Sequence, residues 1–99
     1  MRIVWSTDAD NDLAQIWNYL AREASIARAD DQIRKIEAAC RLLSEWPLAG
    51  QSRETIIPEI RTIVAAPYVV FYRVNDTAVQ IVRVLDGRRD IDAILSNTP

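Results

Sequence analysis

YVVFYRVNDTAVQIVRVLDGRRD, residues 68–90, is two strongly β-prone runs joined by a polar break and followed by a glycine turn thick with arginine. The first run, Tyr68 to Val74, is aromatic and β-branched almost throughout, a composition that packs well on a pleated, half-buried surface. In the second, Val79, Ile81, Arg83 and Leu85 alternate with Gln80, Val82 and Val84. Apolar side chains thus fall on both sides, and this strand is predicted to be covered on both faces. Asn75 and Asp76 supply the turn, because their short side chains bond back to nearby backbone. The predicted hairpin also carries cations: Arg73 and Arg83 inside the strands, Arg88 and Arg89 just past Gly87. These four guanidinium groups are expected to converge on one end of a small sheet.

Upstream of the hairpin a strand is predicted near Ile60 to Ala65, broken by Pro67, after a loop from about Ala49 to Pro58. Before that loop, Ile26, Ala29, Ile33, Ile36, Cys40 and Leu43 recur at spacings of three and four. They form the apolar stripe of a helix that Ser25 opens and Pro47 with Gly50 closes. An earlier stripe of Leu13, Ile16, Trp17 and Leu20 marks another helix, with Thr7 as its expected N-cap. Asp8, Asp10 and Asp12 there complement the positive end of the helix dipole. Trp17 and Trp46 are read as core residues. Met1 to Trp5 alternates as a first strand, and Ile91 to Leu95 suits a last helical turn or a strand-capping tail. The predicted architecture is α+β: an N-terminal strand, a helix hairpin, then a three-stranded antiparallel meander, with both helices on one face of an antiparallel sheet. The other face and an edge strand are left under-covered.

Ninety-nine residues are expected to form a single domain, 1–99, with one modest core. Half the residues are apolar (49%) and a quarter charged (26%), as in ordinary globular proteins. No apolar run approaches the ~20 residues of a membrane helix, and the charged start is unlike a signal peptide, so the expectation is a cytoplasmic protein with no membrane association. The chain has no histidine and one cysteine. This argues against a transition-metal site and removes the commonest general acid and base, so no metal, cofactor or catalytic residue is predicted. Cys40 lies in the apolar register of its helix and reads as a small core residue.

The net charge of −2 is unevenly laid out. Residues 60–89 hold Arg61, Arg73, Arg83, Arg88 and Arg89 against Asp76 and Asp86. That modest local excess has two readings, a face for nucleic acid or an acidic partner, or half of an internal ion-pairing scheme. Arg73 and Arg83 in particular either pair with Asp86 or Asp90 or contact a partner. Arg88 and Arg89, past the turn, are expected to be exposed. Eleven of the twelve cations are arginine, whose planar fork suits bidentate carboxylate pairing.

The stretches DLAQIWNYL, LLSEWPLAG, VVFYRV and VQIVRVLDGRRD resemble the ParE branch of the ParE/RelE toxin superfamily, the toxic halves of bacterial type II toxin–antitoxin pairs. The resemblance covers nearly the whole chain. The helix hairpin ending in W-P-x-x-G is moderately specific to it, and F-Y-R-V followed by I-V-R-V-L-x-G-x-R-D strongly so. It departs from the family's pattern at Asp86, where a histidine is usual.

RelE-like members cleave mRNA on the ribosome with arginines, lysines and a C-terminal tyrosine. ParE-like members inhibit DNA gyrase by binding. This sequence favours the second class: Tyr68 is followed by Val69 rather than a cation, no tyrosine follows Tyr72, and the middle loop has Arg53 but no lysine. Arginine stabilises charge but is a poor proton shuttle. The resemblance therefore implies a toxin acting on gyrase, neutralised by a cognate antitoxin in a hetero-oligomeric complex, with no sequence-specific DNA binding by this chain. The alternatives are a RelE-like ribonuclease or a non-toxic remnant that only binds antitoxin. The partner-binding set is predicted as Arg61, Tyr68, Tyr72, Arg73, Arg83, Arg88 and Arg89.

Overall fold

Ser6, not Thr7, caps the first helix: its hydroxyl accepts from the Ala9 N–H and donates to the Val82 carbonyl, so one side chain starts the helix and ties it to a strand. In this computed structural model, which describes residues 1–55 and 57–96, the order is β1 (Arg2–Trp5), α1 (Thr7–Glu23), α2 (Ile26–Glu45), β2 (Gln51–Ser52), β3 (Arg61–Ala65), β4 (Tyr68–Val74), β5 (Ala78–Asp86) and α3 (Ile91–Ser96). Ser25 caps α2 as its sequence predicts, accepting from the Arg28 N–H. With only Ala24 and Ser25 between them, α1 and α2 fold back as a hairpin, fastened by the Trp17 indole N–H donating 2.9 Å to Asp30.

The sheet has five strands in the order β1-β5-β4-β3-β2. The meander β3-β4-β5 is antiparallel as expected, but the sheet as a whole is mixed: β1 pairs in parallel with β5 (Ile3 beside Val79, Trp5 beside Ile81). The intervening helix hairpin carries the chain back to the sheet end where β1 started, so β1 and β5 run the same way. A two-residue β2, which the sequence did not signal, extends the opposite edge.

Strand β5 departs from simple alternation. Phe71 pairs with Arg83 but Tyr72 pairs with Ile81, which leaves Val82 as an extra residue in a bulge. Beyond the bulge the facing pattern shifts by one. Ile81 and Val84 join the core beneath the helices, with Ile16, Ile36, Leu43, Val70 and Tyr72, whereas Leu85 and Val82 face the other way. Leu85 is therefore not on the Val79–Ile81 face that strict alternation predicts. That second face is covered in part by α3: Leu95 is buried against Phe71, Leu85 and Ile60. Cys40 is a core residue, and burial pushes its thiol up to about 12, far from thiolate chemistry. Trp46, in contrast, is 62% exposed, because α2 ends one residue before it and Pro47 turns the chain away from the core. No described helix is long and apolar enough to cross a membrane.

Candidate functional site

Parallel pairing with β1 ends at Ile81, so the next stretch of β5 has an open edge, and α1 fills it. Ser6 takes the Val82 carbonyl, and the Asp12 carboxylate accepts the Val84 N–H at 2.9 Å. The same carboxylate receives Arg83 in a fork, Nε to Oδ2 at 2.8 Å and a terminal nitrogen to Oδ1 at 2.9 Å. Asp12 is buried and the Arg83 side chain only 18% exposed. The bond to Asp12 raises the arginine's pKa and locks its charge. Of the two readings for Arg83, internal pairing is the one observed, with Asp12 as partner rather than Asp86 or Asp90.

Past the end of β5 the chain turns at Gly87, whose N–H donates to the Pro67 carbonyl. Asp86 closes this turn by accepting the Arg88 backbone N–H at 2.9 Å and its guanidinium at 3.0 and 2.7 Å. The guanidinium first, and the backbone N–H second, hold the Asp86 carboxyl down to about 2. Arg88 is 83% exposed, Arg89 extends beside it, and both border a 230 Å³ pocket lined by Ile16, Tyr19, Tyr68 and Val84. Tyr68 is buried, and burial foremost, then the Asp86 charge, raises its phenol pKa. Charge-assisted donors at the rim of a partly apolar recess suit an acidic segment with an apolar anchor.

Tyr72 and Arg61 lie elsewhere and act on one loop. The fully buried Tyr72 hydroxyl accepts from the Gly50 N–H at 2.8 Å and donates to the Pro47 carbonyl at 2.9 Å. Burial raises its pKa, against the Gly50 N–H bond and the Arg61 charge, which lower it. Arg61 donates to the Gly50 carbonyl at 2.8 Å and to that of Leu48 at 3.4 Å. Gly50 has no room for a side chain: a Cβ there would overlap the Tyr72 hydroxyl and come within 2.5 Å of the Thr62 carbonyl oxygen.

Arg73 stands apart again, next to the hairpin turn, in a 360 Å³ groove with Val4, Asp8, Gln80 and Val82. The four hairpin arginines therefore do not converge. Tyr68 pairs with Asp86 at one end of the β4–β5 ladder, and Arg73 with Gln80 near the other, five residues or roughly 16 Å along the strand. The structure brings together Tyr68, Arg88 and Arg89, with Arg83 behind them on Asp12, and separates off Arg73 and the Arg61–Tyr72 pair. Sequence reasoning missed Asp12 and Tyr19. The signal for Asp12 was present: it sits three residues after Ala9 and four before Ile16, a carboxylate on the apolar stripe rather than in the solvated first turn.

Among known families, the model described as the ParE toxin of the type II toxin–antitoxin system parDE matches residues 3–91. Toxin ParE3 of Caulobacter vibrioides is 31% identical over 94 residues, 95% of this chain and 94% of that protein. Toxin ParE1 of the same organism is 35% identical over 80 residues, 81% of this chain and 82% of its own. A solved structure titled as the chromosomal ParDE TA system from P. aeruginosa superposes with a TM-score of 0.77 over 87% of this chain and 95% of that one. At 23% identity this likeness speaks for the fold. The family match spans both helices and the whole meander, and on that ground this chain belongs to the ParE toxin family of type II toxin–antitoxin systems.

Proposed function

We propose that this chain is a toxin that inhibits DNA gyrase by binding and is neutralised by a cognate antitoxin. The antitoxin's acidic, apolar segment docks at the Tyr68–Arg88–Arg89 end and runs on toward Arg73. Arg83 serves this surface by anchoring its floor through Asp12, and Arg61 and Tyr72 by fixing the loop at the far end. The observation that carries the reading is the ParE-family match, combined with exposed guanidinium groups around a partly apolar recess. Asp86 is held ionised by Arg88, and the raised pKa of the Tyr68 phenol keeps it protonated. Both favour a binding surface over a ribonuclease site.

Induction of the chain alone in bacteria tests the target: plasmid supercoiling is expected to fall and the DNA-damage response to rise before translation slows. Arrest of protein synthesis with unchanged supercoiling, or codon-linked mRNA cleavage in a toeprinting assay, defeats the gyrase reading. For the antitoxin, calorimetry of Arg88→Ala with Arg89→Ala at low and high salt is expected to show ~10-fold weaker binding, with the loss shrinking as salt rises. Unchanged affinity moves the antitoxin off this surface.

A further inference from the structure

Strand β1 leaves one edge of the sheet open. The Ser6 N–H donates 3.0 Å to the Ile81 carbonyl, just past the last β1–β5 pair, Trp5 with Ile81. Backbone groups alternate in direction along a strand. Arg2, Val4 and Ser6 therefore turn theirs toward β5, whereas Ile3 and Trp5 turn their N–H and C=O outward. Because β1 ends the strand order, no hydrogen bond reaches these outward groups among the described residues. The other edge is better closed: β2 pairs with Arg61 and Thr62, and the Gln32 amide of α2 donates to the Ala65 and Ala66 carbonyls at 3.4 and 3.5 Å. An open row of donors and acceptors is a template for another strand.

The spacing of the open groups and the charges along β1 indicate which strand fits. A second copy of β1, laid antiparallel with Val4 opposite Val4, sets Ile3 of each copy opposite Trp5 of the other. Each such pair exchanges both of its N–H···O bonds, so this register satisfies every outward group of both copies. A shift of two residues instead sets Trp5 against Met1, or Ile3 against Thr7, whose backbone is helical. Val4, 39% exposed, then meets its own counterpart at the two-fold axis, and Ile3 and Trp5, half-buried, cover one another on the helix side. The charges agree. The strand begins cationic, with the Met1 ammonium and the exposed Arg2, and runs into the acidic first turn of α1 with Asp8 and Asp10. Antiparallel pairing lays each cationic end on the other copy's acidic end and brings Arg2, opposite Ser6, next to Asp8. Arg2, Asp8 and Asp10 form no ion pair among the described residues. Of the other charges near this edge, Arg73 and Asp76 are of opposite sign, and Asp12 neutralises Arg83. We infer that β1 is a self-pairing edge, through which two copies of this chain join their sheets across a two-fold axis. A contact this short makes a weak, reversible dimer. The inference does not rest on the gyrase or antitoxin assignments.

The test uses the purified full chain. Sedimentation equilibrium is expected to show a reversible rise from one chain to two between ~10 μM and ~1 mM. Arg2→Glu should weaken the dimer at least ~10-fold, and adding Asp8→Arg should bring it back to within ~3-fold of wild type, because the charges are then exchanged rather than lost. A second measurement reads the register directly. Opposed residues at a non-hydrogen-bonded antiparallel position have Cα atoms ~4.5 Å apart, within the range a disulfide spans. Val4→Cys should therefore give a disulfide-linked dimer with oxidised glutathione, whereas Val64→Cys, 66% exposed on β3, should not. The native Cys40 is buried and does not compete. Arg2, Val4 and Asp8 are exposed, so the variants should keep the wild-type circular dichroism spectrum, which separates lost pairing from lost folding. A chain still monomeric at ~1 mM, a dimer indifferent to Arg2→Glu, or cross-linking of Val64→Cys as fast as Val4→Cys overturns the inference. So does a dimer that Trp46→Ser abolishes and Arg2→Glu leaves intact, since the copies would then meet on another surface.

Discussion

Tyr72 shows how much one side chain decides. Its ring fills the core under the helices and its hydroxyl satisfies a donor and an acceptor of the 47–50 loop. Tyr72→Phe leaves the ring and strips both bonds, so it is expected to cost ~1–3 kcal/mol in urea denaturation. It should also loosen the loop, seen as faster hydrogen exchange at Gly50. Gly50→Ala is expected to be worse still, because its methyl meets backbone and a buried ring together; a cost indistinguishable from a surface substitution would refute the packing described. Asp86 makes a pH-dependent contribution. Its folded pKa of about 2 lies below the ordinary 3.8, so the Arg88 pairing stabilises the fold fully above pH ~4 and is lost as pH falls through about 2. The difference in urea midpoint between the wild type and Arg88→Ala should accordingly narrow from pH 4 to pH 2. A difference that stays constant over that range would mean the pair adds nothing to the folded state.

At the scale of elements, the Asp12–Arg83 fork is the joint between α1 and β5. Helix α1 needs it because β1 is too short to cover the edge of β5 beyond Ile81, and backbone groups left there without partners would be costly. Asp12→Ala is expected to destabilise by about 3 kcal/mol, since it leaves Arg83 mostly buried without a counter-charge and frees the Val84 N–H. Asp12→Leu combined with Arg83→Met should cost less than the sum of the two single changes, because the isolated-charge penalty disappears when both go. A chemical-denaturation cycle giving strictly additive costs would remove the joint from this account.

On the scale of the whole molecule, the sheet has two unequal cores. The one beneath α1 and α2 holds Ile36, Leu43, Val70, Tyr72 and Ile81. The other lies under the six-residue α3 and the chain around Ile60. Ile81→Ala opens a cavity in the first and is expected to cost ~3–5 kcal/mol globally. Leu95→Ala acts on an element short enough to detach by itself, so its cost is capped by local opening and should be ~1–2 kcal/mol. Native-state hydrogen exchange should rank β4 and β5 slowest and α3 fast. If α3 exchanges only by global unfolding, the second core belongs to the same cooperative unit as the first.

The chain's order of elements apart from β2, its helix hairpin, the β3–β4–β5 meander and the family likeness were all legible in the sequence, because they depend on local signals: apolar spacing of three and four, alternation of two, cap and turn residues, and short motifs. Where the arginines end up was not. Strict alternation assumes an unbroken ladder, and the bulge at Val82, which only strand pairing reveals, moved Leu85 to the opposite face and left Arg83 to be claimed by α1. The fates of Asp12 and Trp46 were likewise tertiary. A carboxylate is tolerable on a buried stripe only when a guanidinium 71 residues away meets it, and a tryptophan becomes surface when a buried tyrosine 26 positions later holds its loop facing outward. Spacing along the chain fixes which side chains share a face; which distant charge neutralises which, and which apolar group is left in water, is set only when the faces close on one another.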